Sequence, residues 1–471
     1  MLKIYPIPAG EPVSTDYEIT LNGKPAQAYT ARVSAIPFNR VWPGQQRPID
    51  QTEIASFLYF ASDEPVTVKV KAARNFSDVA IRPLSRGIKA ACDGNEITFT
   101  LERDGQYTLE LDGFHYALHI FANPIFDFGV KADDAGVIYF GPGVHEPGYI
   151  DLSDGQTLYI DAGAVVKTSV SIKGKNIRVV GEGILDNSWE KRDDPDCVRA
   201  PIGCMKIFAS ANVLVEGIIF RDSSVWTATI FNSDNIIFDN IKAIGMWRYN
   251  SDGIDFVNSA NGVVKNSFLR NFDDVIVLKG LKGWDTRNVE NIFVKNCVLW
   301  CDWGRNLEIG AETCADEYRN IIFEDCDLIH CAHINLDLQN GDRAKVHALI
   351  FDNIRVEYSR YTLEPIYQHS DEQVFEYKEG YLPQLFFAHL YNGMWSKDYL
   401  YGENRDVKFR NIQVFLDEGL SMPPSTFVGV NEDHQTYNIN IEDLFVNGEK
   451  IDTLEKINLN TNEFAHDITI K

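Results

Sequence analysis

The chain holds two acidic clusters of related form, Asn250-Ser251-Asp252-Gly253-Ile254-Asp255 and Phe272-Asp273-Asp274-Val275-Ile276-Val277. Asp252 and Asp273 stand 21 positions apart, and the residues around each read as one coil of a repeating β structure. Strands stacked in register lie about 4.8 Å apart, so Asp252, Asp273 and Asp274 are expected in one small patch on a single face. Carboxylates that close perturb one another's proton affinity, which can separate a protonated acid from an ionised base. The bland reading of any one aspartate is a turn residue at the bend before a strand. Three in adjacent coils, two of them side by side, favour chemistry instead. With no evident Ser-His nucleophile or phosphate loop, that chemistry is glycosidic hydrolysis, in which one carboxyl protonates the leaving oxygen while another activates water.

The elements that must position these acids announce themselves by repetition. From about residue 137 a phrase recurs in which an apolar pair is followed by a charged residue, then Asn, Asp or Gly, then further apolar residues. Examples are Phe238-Asp239-Asn240-Ile241, Val294-Lys295-Asn296-Cys297-Val298 and Phe409-Arg410-Asn411-Ile412. The anchors at 217, 240, 266, 296, 325, 353, 411 and 443 are spaced by 23 to 32 residues, with one gap of 58. That is a solenoid period with insertions. The intervening segments are short, alternating and rich in Val, Ile and Phe, and no helical period separates them. An all-β fold follows, a right-handed parallel β-helix over residues 136–471, with the anchors at corners that need a left-handed bend. A β-sandwich with coincidental phrases is the competing reading.

Residues 1–135 lack the phrase. Runs such as Val66-Thr67-Val68-Lys69-Val70 and Glu96-Ile97-Thr98-Phe99-Thr100-Leu101, separated by Gly, Asn and Pro turns, predict an N-terminal antiparallel β-sandwich domain. Its expected role is to cap the end of the solenoid. A second departure is the aperiodic, aromatic-rich stretch 363–403, with Tyr367, Tyr391 and Trp395 among His369, Asp371 and His389. Such an insertion suits either one wall of a sugar-binding groove or a flap packed on the helix.

Composition narrows the partners. A net charge of −24 at pH 7 argues against nucleic acid or an anionic membrane, both of which call for a basic face. No apolar run approaches the length of a membrane span, and no cofactor or metal is called for. The cysteines, Cys197 and the group from Cys297 to Cys331 among them, lack a zinc spacing and read as small core residues. The N-terminus lacks a secretory signal, so a cytoplasmic protein is expected, or a secreted or periplasmic one if a signal has been trimmed.

The motif Asn250-Ser251-Asp252-Gly253, followed one coil later by Asp273-Asp274, resembles the Asn-Thr-Asp and Asp-Asp motifs of the polygalacturonase family of glycoside hydrolases. It is also similar to the dextranase and isopullulanase family, whose β-helix follows an N-terminal sandwich. Tyr139-Phe140-Gly141-Pro142-Gly143-Val144-His145 and Gly181-Glu182-Gly183-Ile184-Leu185-Asp186 look like the opening coils of such enzymes. The resemblance covers roughly residues 137–360. It implies an inverting hydrolase with Asp273 as general acid, while Asp252 and Asp274 position and deprotonate water. Two departures stand out. The family's Gly-His-Gly is matched here by Gly304-Arg305-Asn306-Leu307-Glu308, and its uronate-gripping Arg-Ile-Lys by His333-Ile334-Asn335-Leu336-Asp337. A neutral glycan is therefore the expected substrate. Trp247, Arg248, Asn250, Lys279, Trp303, Arg305, Glu308, His333 and Asn335 are the expected sugar contacts, with Trp226, Trp284 and Trp300 nearby in sequence. A β-helical polysaccharide lyase and a non-catalytic glycan-binding solenoid are the alternatives.

Overall fold

The computed structural model describes residues 1–41, 48–192, 199–370 and 372–471; Cys197 and Asp371 lie outside the described residues. Between Val137 and Ile470, 30 strands form one sheet in which, apart from the antiparallel Glu449–Ile451, each strand pairs in parallel with its counterpart in the next coil; Ile366–Gln368 stands outside it. This is a parallel β-helix. All eight anchors identified by spacing have left-handed backbone, from Gly217 at φ 80° and Asn240 at 52° to Asp443 at 57°. Asparagine tolerates that conformation and its amide can hydrogen-bond along the axis. Asn296 donates to Asn266 at 2.9 Å, Asn353 to Asp325 at 3.1 Å and Asn411 to Asn353 at 2.9 Å. Beside this polar ladder runs an apolar one: Phe323, Phe351 and Phe409 stack with ring centroids 5.0 and 5.1 Å apart. The repeated phrase is thus a corner, with the residue two positions before the bend in the core and the bend residue bonded to its neighbours above and below.

Residues 2–123 form a six-stranded and a five-stranded sheet, antiparallel except where Leu118–Asn123 pairs with Thr52–Ser62. They enclose a separate core around Val68, Val70, Ile97, Leu109 and Ile120. The sandwich does not sit on the end of the solenoid. Its Tyr29, Phe57 and Phe121 share a cluster with Val165, Ile184, Ile219, Ile244, Phe268, Val298 and Ile329, which come from successive coils. It therefore lies along the flank of the helix, a placement set by an apolar strip that no single coil exposes alone. Buried polar ties reinforce it: Arg82 pairs with Glu110 at 2.7 Å and with Glu357 of the helix, and Lys242 reaches Asn123 at 2.6 Å.

Six of the seven described cysteines are buried and all seven are free. No helix among the described residues is long and apolar enough to cross a membrane.

Candidate active site

Strand alternation decides which side chains reach the cleft. In Ile254–Val257, Ile276–Gly280, Arg305–Thr313 and Ile334–Asn340, the residues Ile254, Phe256, Ile276, Leu278, Leu307, Ile309, Leu336 and Leu338 enter the core, so their neighbours face outward. Register then stacks Asp255, Val277, Glu308 and Asp337 in one column and sets Lys279 over Val257 in the next. An apolar interior thereby forces a row of ionisable groups onto one face.

Asp252 and the Asp273-Asp274 pair occupy the loops that lead into the first two of these strands. Ile254 pairs with Ile276, a repeat of 22 residues, and the Gly253 amide donates to the Asp274 carbonyl at 2.8 Å. Asp274, not Asp273, consequently lies over Asp252. Two glycines make the approach possible. A Cβ on Gly253 would strike the Val275 carbonyl oxygen, and one on Gly304 would stand 2.7 Å from Asp273 Oδ1 and closer still to Asp274 Oδ1. Both carboxylates thus converge on the bare Cα of Gly304. The variant Gly304→Ala is expected to lose hydrolysis by at least about tenfold, as small misplacements of reacting groups do, while unfolding cooperatively. Unchanged turnover would show that the two oxygens have no need of that space.

Lys279 is the hub of the cluster. Its Nζ lies 3.2 Å from Asp252, 3.7 Å from Asp255, 3.7 Å from Asp274 and 3.9 Å from Glu312, and it packs 4.6 Å from the Trp226 ring centre. Arg305 approaches Asp274 at 3.4 Å and Asp337 at 3.6 Å. These contacts divide the acids. Burial, then the negative charges of Asp274 and Asp252, push Asp273 well above the usual carboxylate range. Burial acts on Asp274 in the same direction, but the charges of Arg305 and Lys279 and hydrogen bonds from Glu308 and Arg305 outweigh it and hold Asp274 below its ordinary value. Asp252 is pushed up to about 7, mainly by burial, with Lys279 opposing. Adjacent carboxyls are thus poised in opposite protonation states, which is the division of labour acid/base chemistry requires.

The cluster opens into a cavity of about 750 Å³ lined by Asn250, Asp273, Asp274, Lys279, Trp303, Arg305, Glu308 and His333, all singled out from sequence. Asp252 is buried beneath it, 1% exposed, and touches it through Lys279. Three expected sugar contacts are not among its lining residues. The Trp247 indole donates to Asp222 at 2.9 Å, Arg248 pairs with the same carboxylate, and Asn335 is buried between Asn306 and Tyr358. The first two hold the loop from behind, because the chain reverses at Asn250, whose φ is 55°. Trp284 packs against Phe208 and Phe231, and Trp300 lies in the junction with the sandwich.

Other lining residues come from further away. Tyr367, His369, Tyr391, Met394 and Trp395 of the insertion form part of the wall. His333 is bonded through Nδ1 to the Trp303 carbonyl, so its Nε2 accepts from the Tyr367 hydroxyl at 2.8 Å. Burial and the charge of Arg305 lower its pKa to about 4, leaving the ring neutral. Asn39 and Val41 of the sandwich, and Tyr249 and Glu312, also line the cavity and were not singled out from sequence. Asn39 arrives because Phe38–Arg40 pairs in parallel with Ile366–Gln368 of the insertion, a contact across more than 300 positions with no local signal.

Comparison with known proteins places this geometry. Residues 146–365 match the model of glycosyl hydrolases family 28. An exopolygalacturonase from Cochliobolus carbonum is 27% identical over 192 residues, 39% of this chain and 39% of its own length. A probable exopolygalacturonase B from Emericella nidulans is 25% identical over 224 residues, 40% of this chain and 46% of its own length. The chain thus spans less than half the length of these relatives. Among solved structures, Dex49A from Penicillium minioluteum superposes with a TM-score of 0.65 over 100% of this chain and 96% of its own, at 13% identity, a likeness of fold that includes the sandwich. The stretch from residue 146 to 365, which carries the three aspartates, is thus similar to glycosyl hydrolases family 28 and lies on a parallel β-helix.

Proposed function

We propose that this protein is a glycoside hydrolase in which Asp273 protonates the leaving oxygen and Asp274, with Asp252, positions and deprotonates the attacking water. The observation that carries this reading is the convergence of Asp273 and Asp274 on Gly304 at one cavity, with the cations Arg305 and Lys279 beside Asp274. Water delivered from the base to the far side of the sugar ring inverts the anomeric carbon. Proton NMR of the first product formed tests this directly. The inverted anomer is expected; the retained anomer would overturn the mechanism, and an unsaturated product absorbing in the ultraviolet would indicate a lyase.

Two substrate readings have support. The charge of the cavity favours a neutral glycan, because Lys279 and Arg305 are already occupied by acidic side chains. A sugar carboxylate would have to displace one of them, at the cost of leaving a buried acid uncompensated. The relatives named exopolygalacturonases favour a galacturonan. In that reading Lys397, which reaches the lining residue Glu312 at 3.9 Å from the insertion, is a cation that could meet a uronate. Kinetics on matched neutral and galacturonate oligosaccharides separate the two. Preference for the acidic series, lost in Lys397→Met, would overturn the neutral reading. The sheet joining Phe38–Arg40 to Ile366–Gln368 bounds one side of the cavity, which suits a chain end, so single-residue or short products are expected from a long chain. The intracellular placement expected from the N-terminus finds no support among the relatives, and a secreted enzyme fits the same fold.

A further inference from the structure

Two carboxylates, Asp274 and Asp337, flank the one guanidinium of Arg305, and a third side chain stands between the pair. Arg305 Nη1 donates to Asp274 Oδ1 at 3.4 Å, while Arg305 Nε lies 3.6 Å from Asp337 Oδ2. That Nε is buried and makes no hydrogen bond, so a small shift towards Asp337 would complete one at the expense of Asp274. Gln339 follows Asp337 by two residues on Ile334–Asn340, where strand alternation returns a side chain to the same face. Its Nε2 donates to Asp337 Oδ2 at 2.6 Å, and its Oε1 accepts from Arg305 Nη2 at 3.5 Å and from the Tyr391 hydroxyl at 2.7 Å. The neighbours fix which way the amide points, since a guanidinium only donates and an ionised carboxylate only accepts. Gln339 is 3% exposed and is not among the residues lining the cavity. Any effect it has on the reaction therefore passes through Arg305 and Asp337.

We propose that Gln339 is a positioning residue: by giving Asp337 a hydrogen-bond donor of its own and accepting from Arg305, it keeps the guanidinium on Asp274. Among the described residues Gln339 supplies the one hydrogen bond to the Asp337 carboxylate, whose Oδ1 is buried without a partner. A buried carboxylate stripped of hydrogen bonds is costly, so without Gln339 it would draw the guanidinium across. Asp274 would then keep the Arg305 backbone amide at 3.2 Å and Lys279 at 3.7 Å but lose the arginine charge. An opposite charge at such range lowers an aspartate by about 1–3 pH units, which matters to a base that must stay ionised. The other charged and titratable groups nearby offer Asp337 no substitute. Glu308, its neighbour in the column, is an acid; His389, beside Gln339 in register, stacks on the Tyr391 ring at 5.0 Å; Lys279 is held among Asp252, Asp255, Asp274 and Glu312.

The inference rests on Asp274 as the base of the proposed reaction, and its test keeps the two apart. Gln339→Met preserves the length of the side chain and removes both halves of the amide. The acid limb of its kcat/KM profile should lie about one pH unit above that of the wild type, a loss of about tenfold at a fixed pH on that limb. Neutralising the competitor should reverse this. In Gln339→Met combined with Asp337→Asn the limb should return to its wild-type position, because asparagine has no charge with which to hold Arg305. A glutamine that merely filled space would lower kcat with the limb in place, and the second substitution would add to the damage; either result overturns the inference. Should the single variant fail to fold, the double variant decides by the same limb, since it leaves no charge on residue 337 to strand; a limb displaced upward there overturns the inference. A crystal structure of Gln339→Met reads the event without turnover. Arg305 is expected to have left Asp274 for Asp337, and an unmoved Arg305 overturns the inference. If the wild type hydrolyses no glycan, the functional reading fails while the place of Arg305 in the variant still decides the role of Gln339.

Discussion

Asp273→Asn is expected to lower hydrolysis by about 10²–10⁴-fold, the range a positioned general acid contributes, while leaving glycan binding and the cooperative unfolding transition in place. Asparagine fills the same volume and can still hydrogen-bond the glycosidic oxygen, but it has no proton to transfer. The stability half has a definite sign. Asp273 is raised well above its ordinary value by burial and by Asp274 and Asp252, so its contribution is present below about pH 4 and is lost as pH rises through the folded value. Replacing it with a neutral isostere should make the protein at least as stable at neutral pH, with the advantage widening above pH 4. The wild-type rate profile should carry an acid limb below the usual carboxylate range, from Asp274, and an alkaline limb well above it, from Asp273, both belonging to the cluster as a whole. Full activity in Asp273→Asn, or a variant that melts early at every pH, would remove Asp273 from the role of acid.

How much of this was legible in the sequence differs from element to element, for physical reasons. The corners were, because the left-handed bend restricts residue type so strongly that Asn, Asp or Gly recurs at each one, and spacing alone located all eight. The gathering of the three acids into one patch was legible too, though their spacing alone left open which of Asp273 and Asp274 lies over Asp252; the pairing of Ile254 with Ile276 puts Asp274 there. A one-residue difference in register matters because neighbours on a strand or its approach face different ways. Trp247 and Arg248, expected as sugar contacts, do not line the cavity for a similar reason. Adjacency to Asp252 carries no direction, and the reversal at Asn250 sends them back to Asp222. What the sequence could not supply was non-local. The flank docking of the sandwich depends on an apolar strip assembled from successive coils, and the arrival of Asn39 in the cavity depends on a strand pairing between the sandwich and the insertion.

The same cluster predicts that Lys279→Met has the largest effect on stability of any single change in the cavity. Methionine replaces the length and apolar contact of the lysine stem against Trp226 but leaves Asp252, Asp255, Asp274 and Glu312 without their shared cation. Removing one partner of a buried charge pair costs roughly 3–5 kcal/mol, because the remaining charge is stranded. The loss depends on pH in a calculable direction. Lys279 opposes the rise in Asp252, which already stands at about 7; without it Asp252 climbs further, and a carboxyl with a raised folded pKa destabilises progressively above its unfolded value. The deficit should therefore be smallest near pH 4, where Asp252 is protonated, and grow towards pH 7. The rate should respond in parallel. Lys279 also lowers Asp274, so the acid limb of kcat/KM should shift upward in the variant, shrinking the window in which Asp274 is ionised and Asp273 still carries its proton. A lysine that merely touched the sugar would give a different pattern, a higher KM with melting temperature and acid limb unchanged. That pattern would mean the division of proton affinity between Asp273 and Asp274 does not depend on the cation between the coils.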